Sequence, residues 1–232
     1  MKLLNFKFLV TIVFGTVLMS SCLKDKDYEP VPHAVLTMVN GYTENIGLAY
    51  YADNNRIPIP FGFLQYKGIE RYRNLFVGNR RIRIIDEMQK TIIDTNYTFK
   101  DGTSYTSFVF GDAAATKHII TEDQSVDDLG NNTAVRFLHL SNIADEVSVY
   151  IGSDSEPVFI DRVTESATSP VENHLFIANA SGKQNIVVKN AAGTPLIERE
   201  YDFKPGRYVS ITLIGEPSNT DTPLYLGIAE QY

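Results

Sequence analysis

The stretch Tyr97–Asp112, YTFKDGTSYTSFVFGD, returns as Tyr201–Glu216, YDFKPGRYVSITLIGE, at an offset of 104 with no gap. The register extends from Gly78 against Gly182 to Asp112 against Glu216, and 8 of these 35 pairs are identical. The identities include Tyr97/Tyr201, Phe99/Phe203, Lys100/Lys204, Gly102/Gly206 and Gly111/Gly215. Self-similarity at a domain-sized interval marks a chain built from two copies of one module. Further upstream, Val135–Leu140 aligns with Ala34–Val39, and Val147, Val149 and Ile151 with Ile46, Leu48 and Tyr50, at an offset of 101.

Within the repeat, Lys204-Pro205-Gly206 stands where the first copy has Lys100-Asp101-Gly102. Proline second and glycine third suit a type II turn, whose third residue needs positive φ. Gly102 and Gly206 are therefore predicted at positive φ, as structural turn glycines between strands that form matching hairpins. Asn40-Gly41 reads as a further turn. Short apolar runs follow at Ile46–Ala52, Phe61–Tyr66, Tyr72–Val77, Arg80–Ile85 and Lys117–Thr121 in the first copy. The second copy offers Val158–Arg162, His174–Ile177, Ile186–Lys189 and Leu224–Ala229. Helical periodicity is almost absent, and short strands spaced near ten residues with turn residues between them indicate an all-β sandwich.

The N-terminus reads as an address. Lys2 and Lys7 precede an apolar run, Phe8–Leu18, too short to span a bilayer as a helix. Met19-Ser20-Ser21-Cys22 resembles the lipobox of bacterial lipoproteins, and Cys22 is the only cysteine. Cys22 is the expected lipidation site, a palmitate-type anchor of several acyl chains, and the expected location is the outer membrane, on either face. Leu23–His33 reads as an extended tether. The organisation expected is signal peptide 1–21, lipidated tether 22–33, module one 34–130 and module two 131–232. Loss of the leader removes Lys2 and Lys7 and moves the net charge from −7 to −9. Such an acidic surface repels phosphate, so nucleic acid is not an expected partner.

Ala134–Gly152, AVRFLHLSNIADEVSVYIG, and the later FKPGRYVSITLIG resemble the domain-of-unknown-function family 4397. Module one resembles a diverged second copy. The resemblance implies an immunoglobulin-like or transthyretin-like sandwich in secreted and lipid-anchored bacterial proteins. It brings no catalytic residues.

A search for chemistry points away from catalysis. His33, His118, His139 and His174 show no metal-ligand spacing, and no nucleophile elbow or phosphate loop occurs. Neither a metal nor a cofactor is expected. Glu122, Asp123, Asp127 and Asp128 lack the calcium-loop pattern and read as a solvated acidic connector. Acid pairs exist, as in any chain, but nothing orients one, which leaves a hydrolase as the second alternative. The first alternative is a surface glycan-binding lipoprotein of an uptake system. It rests on the aromatic run of module one, where Phe61, Phe63, Tyr66 and Tyr72 are candidate ligand contacts against the competing reading of sandwich core. The leading expectation is a non-enzymatic, lipid-anchored envelope protein that binds an envelope protein or glycan, or serves as a structural module. Any ligand is expected within Asp53–Asn74, because connecting segments on a scaffold are where binding resides.

Overall fold

Among the described residues the period-two runs become sixteen strands in four four-stranded sheets, two sheets to each half of the chain. The computed structural model describes residues 30–143, 145–153 and 155–231; the leader and Cys22 lie outside the described residues. The first half holds β1 (His33–Tyr42), β2 (Leu48–Ala52), β3 (Asn55–Arg56), β4 (Ile69–Phe76), β5 (Gly78–Asp86), β6 (Thr91–Phe99), β7 (Ser104–Gly111) and β8 (Lys117–Glu122). The second holds β9 (Thr133–His139), β10 (Val147–Ile151), β11 (Phe159–Arg162), β12 (Ile177–Asn179), β13 (Gly182–Asn190), β14 (Pro195–Phe203), β15 (Tyr208–Ile214) and β16 (Tyr225–Gln231).

The two halves have one topology. Sheet orders β4-β1-β7-β8 and β3-β2-β5-β6 recur as β12-β9-β15-β16 and β11-β10-β13-β14. In each, the first strand pairs parallel with the seventh, β1 with β7 and β9 with β15. Each sandwich closes on its own core. Leu36, Met38, Leu48, Tyr50, Ile82, Ile84 and Phe99 fill the first. Phe137, Val149, Ile186, Val188, Phe203, Ile211 and Leu213 fill the second.

Pairing corrects the upstream alignment. Ser104 faces Val35 while Tyr208 faces Ala134, and Leu48 faces Asp86 while Val147 faces Asn190. The equivalent positions are thus 99 apart, not 101. A slip of two keeps every side chain on its own face, so the apolar pattern alone does not expose it. The step from 99 to 104 places five extra residues of the second half between β10 and β13.

Three local expectations are also revised. Asn40 and Gly41 lie inside β1, paired with Val109 and Phe110, and the turn comes after Tyr42. Phe61–Tyr66 is a loop outside the named strands, joined to β2 by the isolated bridge Leu48–Leu64. The turns at Gly102 and Gly206 join strands that do not pair. β6 pairs with β5 in one sheet, β7 pairs with β1 and β8 in the other, and β14 and β15 are separated in the same way. The turn carries the chain across the sandwich instead of closing a hairpin. Gly102 has φ 65° and Gly206 φ 71°. Arg207 N–H donates to Lys204 O at 3.2 Å, closing the four-residue turn.

The halves meet through the outer faces of β4-β1-β7-β8 and β12-β9-β15-β16. Val39, Phe108, Phe110 and Ile119 pack there against Leu138, Leu140 and Ile214. Buried within this contact is Arg136, wholly inaccessible to solvent. Its Nε donates to Ser210 Oγ (2.7 Å), and Nη1 donates to Thr121 Oγ1 (3.1 Å) and His174 O (3.3 Å). Nη2 donates to Thr106 Oγ1 (3.1 Å) and pairs with Asp123 Oδ1 at 2.7 Å. The Phe176 ring lies 4.3 Å from the guanidinium carbon. Asp123, read from the sequence as part of a solvated connector, is the buried counter-ion of this arginine. A buried charge persists only when paired and hydrogen-bonded, and here each guanidinium nitrogen has a partner.

Candidate functional site

The connecting segment that follows β2 departs from its counterpart in the second half, and it carries the most conspicuous surface feature. After β2 the chain turns at Asp53, which has φ 55° and whose Oδ1 accepts from Arg81 N–H at 3.0 Å. The chain then runs back along β2 as the two-residue edge strand β3. Ile57, nearly fully buried, donates its N–H to Tyr50 O at 2.8 Å. Leu64, also buried, exchanges two hydrogen bonds with Leu48, at 2.8 and 2.9 Å. The residues between, Pro58-Ile59-Pro60-Phe61-Gly62-Phe63, leave the sheet edge and return to it.

This excursion is fastened at several points. Pro58 and Pro60 fix two φ angles. Gly62 N–H donates to Ile59 O at 3.0 Å. Arg56 donates Nη2–H to Gly62 O, and its guanidinium carbon lies 5.0 Å from the centre of the Phe63 ring. At the far end, the buried Asn40 donates Nδ2–H to Leu64 O (2.8 Å) and Ile46 O (3.0 Å). His139, the equivalent of Asn40 at offset 99, holds the corresponding segment of the second half. It engages Arg162 O at 3.1 Å through Nδ1, and its backbone carbonyl accepts from Glu165 N–H at 2.8 Å.

Phe61 sits at the apex with φ 61° and full exposure. Left-handed backbone costs a non-glycine residue about 1–2 kcal/mol. An exposed phenylalanine also forgoes about 1.5–3 kcal/mol of burial. Both costs fall on one residue of a clamped loop.

The four candidate aromatics separate in space. Phe61 and Phe63 share the loop. Tyr66 packs into the contact between the halves, beside Ile69 and Tyr225. Lys67 Nζ lies 5.3 Å from the Tyr66 ring and 4.7 Å from the Tyr225 ring. Burial, with Glu216 nearby, pushes the Tyr66 hydroxyl up to about 12. Tyr72 stands on β4, 39% exposed, with φ 60°. Sequence reasoning missed Arg56 and Asn40 as the residues that fasten the loop. A detectable cue for Arg56 was its place two residues before a Pro-x-Pro run.

The acids of the surface clefts bear on the hydrolase alternative. A cleft of about 680 Å³ between the halves is lined by Asp112, Lys117, Asn142, Thr164 and Glu216 among others. A neighbouring cleft of about 530 Å³ adds Glu44 and Asp221. Asp112 Oδ1 accepts from the N–H groups of Ala114 and Ala115, and Glu44 Oε1 accepts from Ala113 N–H. Glu216 Oε1 accepts from Asn142 Nδ2. Asp112 closes its own loop, while Glu44 and Glu216 each tie together two segments distant in sequence. Glu165, wholly buried, lies 3.0 Å from His174 Nε2 and 3.2 Å from Arg162 Nη2. Burial alone raises its pKa, but hydrogen bonds from His174 and Ser169 and the charges of His174 and Arg162 hold it below the usual carboxylate range. It is a structural anion that ties the segment before β12 to the sheet. Among the described residues no group of three or more His, Cys, Asp or Glu is arranged to hold a metal ion.

Comparison with known proteins bears on the fold family. No curated protein matches the chain. Among solved structures, one titled for alpha-glucan recognition by family 41 carbohydrate-binding modules from streptococcal virulence factors is 12% identical. The match covers 84% of this chain and 97% of that one, with a TM-score of 0.25. A second, titled for alpha-glucan binding by a streptococcal virulence factor, is 13% identical over 84% and 97%, with a TM-score of 0.23. A protein from Bacteroides eggerthii DSM 20697, described as a candidate cell adhesion protein, is 8% identical over 87% and 96%, with a TM-score of 0.21. Likeness at these scores carries no argument about this chain. The family described as Domain of unknown function (DUF4397) matches residues 34–150, half of the sequence, and the chain belongs to that family.

Proposed function

We propose that the protein is a non-enzymatic binding protein of the cell envelope, anchored by lipid on Cys22, whose contact element is the loop Pro58–Phe63. The carrying observation is Phe61, fully exposed at positive φ on a loop fixed at both ends. A loop already rigid loses little entropy on binding, so more of the contact energy appears as affinity. One protruding ring, with Phe63 turned aside under Arg56, has the form of an anchor that enters a partner's pocket. It lacks the flat pair of rings that a neutral sugar stacks upon. The partner favoured is therefore an envelope protein with an apolar recess.

The halves act together as the scaffold, because Arg136 and Asp123 join them through a buried pair. The lipid attaches before a tether whose residues 23–33 reach roughly 35–40 Å when stretched, which holds the loop clear of the membrane. The test is capture from native envelope extract by the full chain, wild type against Phe61→Ser, with a glycan array run in parallel. Specific protein capture lost in Phe61→Ser supports the reading. Capture unaltered by Phe61→Ser, or glycan binding that depends on Phe61, contradicts it.

A further inference from the structure

A second site lies where β4 of the first half meets the edges of β14 and β16. The pairing of β1 with β4 shifts between Leu36, opposite Arg73, and Met38, opposite Glu70. Arg71 and Tyr72 therefore both stand opposite Thr37. Two residues against one is a β-bulge, a device that re-aims a side chain. Tyr72 takes φ 60° within it, a strained value for a bulky residue. The bulge sends Arg71 across to the second half, where its Nη1 donates to Glu230 O at 3.1 Å.

Arg199 reaches the same place from β14. Its Nη1 donates to Leu226 O at 2.6 Å and to Tyr225 Oη at 3.3 Å. The two guanidinium groups line one cleft of about 320 Å³ with Tyr201, Glu230, Ile69 and Ile228. Tyr201 donates its hydroxyl hydrogen to Glu230 Oε1. Among the described residues both arginines make these bonds through Nη1, which leaves Nε and Nη2 on each as a planar fork suited to a carboxylate. Among the described residues lining the cleft, two positive groups face the single negative charge of Glu230. The cleft has no twin in the other half, since Arg199 corresponds to Thr95 at offset 104 and the equivalent of β4 is the three-residue β12.

We propose that this cleft binds an acidic sugar, a hexuronate unit of a polysaccharide, with its carboxylate between Arg71 and Arg199. Ile69 and Ile228 supply an apolar wall for the C–H face of the ring. The Tyr201 oxygen, whose hydrogen goes to Glu230, and the second carboxylate oxygen of Glu230 supply acceptors for its hydroxyl groups. The volume lies at the small end of the range for small-molecule sites.

The test uses the full chain in detergent micelles, titrated calorimetrically at low salt with a glucuronate-containing tetrasaccharide and with a neutral glucose tetrasaccharide. The acidic sugar should bind about tenfold or more tightly than the neutral one, the value of one good charged contact. Arg71→Gln should weaken it by a similar factor, and Arg71→Lys should restore only part, because an ammonium lacks the fork. Arg71 is exposed and donates to the backbone carbonyl of Glu230, so an unchanged melting curve separates loss of binding from loss of fold. Phe61→Ser should leave the titration as it was, which keeps this site separable from the loop. Equal affinity for both sugars, no binding of the acidic one at millimolar concentration, or full affinity in Arg71→Gln with Arg199→Gln would each overturn the proposal.

Discussion

Replacing Asp123 by alanine removes the only carboxylate that, among the described residues, pairs with Arg136 at the contact between the halves. The side chains of the two are 0% and 3% exposed and their charged atoms are 2.7 Å apart. The remaining partners of Arg136 are neutral: Ser210, Thr121, Thr106 and the carbonyl of His174. They satisfy its donors and leave its charge uncompensated. Gln231, which donates Nε2–H to Thr106 Oγ1 and to Asp123 Oδ2, loses one acceptor as well. Stranding one member of a buried pair costs about 3–5 kcal/mol. For a folded unit of this size that is roughly 2–4 °C of melting temperature per kcal/mol, so the loss should approach 10 °C or more. The assay is urea unfolding followed by circular dichroism. Two variants bracket it. Arg136→Met with Asp123→Leu removes both charges and should recover most of the loss, because an apolar pair of similar volume replaces an ion pair at little cost. Lys183→Ala breaks an exposed pair with Glu200, and the unfolding curve should stay in place. A loss below about 1 kcal/mol in Asp123→Ala, or a double variant no better than the single one, would refute the claim that this charge pair joins the halves.

Other predictions concern turns, protonation and anchoring. Gly206→Val meets no atom within 4 Å of the added Cβ, so it should cost only the backbone strain, about 1 kcal/mol or somewhat more. Gly215→Ala should cost more in the same melts, since its Cβ collides with the backbone of Thr222 and Pro223. Burial holds the His139 imidazole at about 4, while an unfolded histidine titrates near 6.5. The unfolded state therefore takes the proton first, and stability present in full above about 6.5 should drain away as pH falls toward 4, by on the order of 3 kcal/mol. His139→Gln, measured by urea unfolding across that range, should flatten the slope. Cys22→Ala should abolish palmitate labelling and release the protein from membranes; unchanged membrane partition would remove the anchor from the account.

Local chemistry was legible where one residue type decides the matter. Gly102 and Gly206 take positive φ, 65° and 71°, and their turn sequences carry the reason; Gly78, Gly111, Gly182 and Gly215 share positive φ at or beside strand ends that no turn sequence marks. The strands were legible by their alternation, but strand partners were not. Nothing in Lys100-Asp101-Gly102 says whether the next strand pairs with the last or crosses to the other sheet. The error of two at β1 survived because alternation is blind to even shifts. Phe108 and Phe110 alternate along β7 and face the other half, a side that alternation alone does not name. Asp123 looked solvated because its partner, Arg136, sits within the apolar run of β9 and gives no sign of which acid it meets. Among the aromatics, residue type could not separate Phe61 from Tyr66. The first is exposed by a positive φ that no turn motif announces, and the second is covered by a half of the chain more than 100 residues away.

The central claim, that the Phe61 loop makes the functional contact, is tested most directly by hydrogen–deuterium exchange of the full chain with and without solubilised native envelope proteins. The account predicts added protection at residues 55–64 that disappears in Phe61→Ser. Protection confined to the second half, with the loop exchanging as in the free protein, would contradict it.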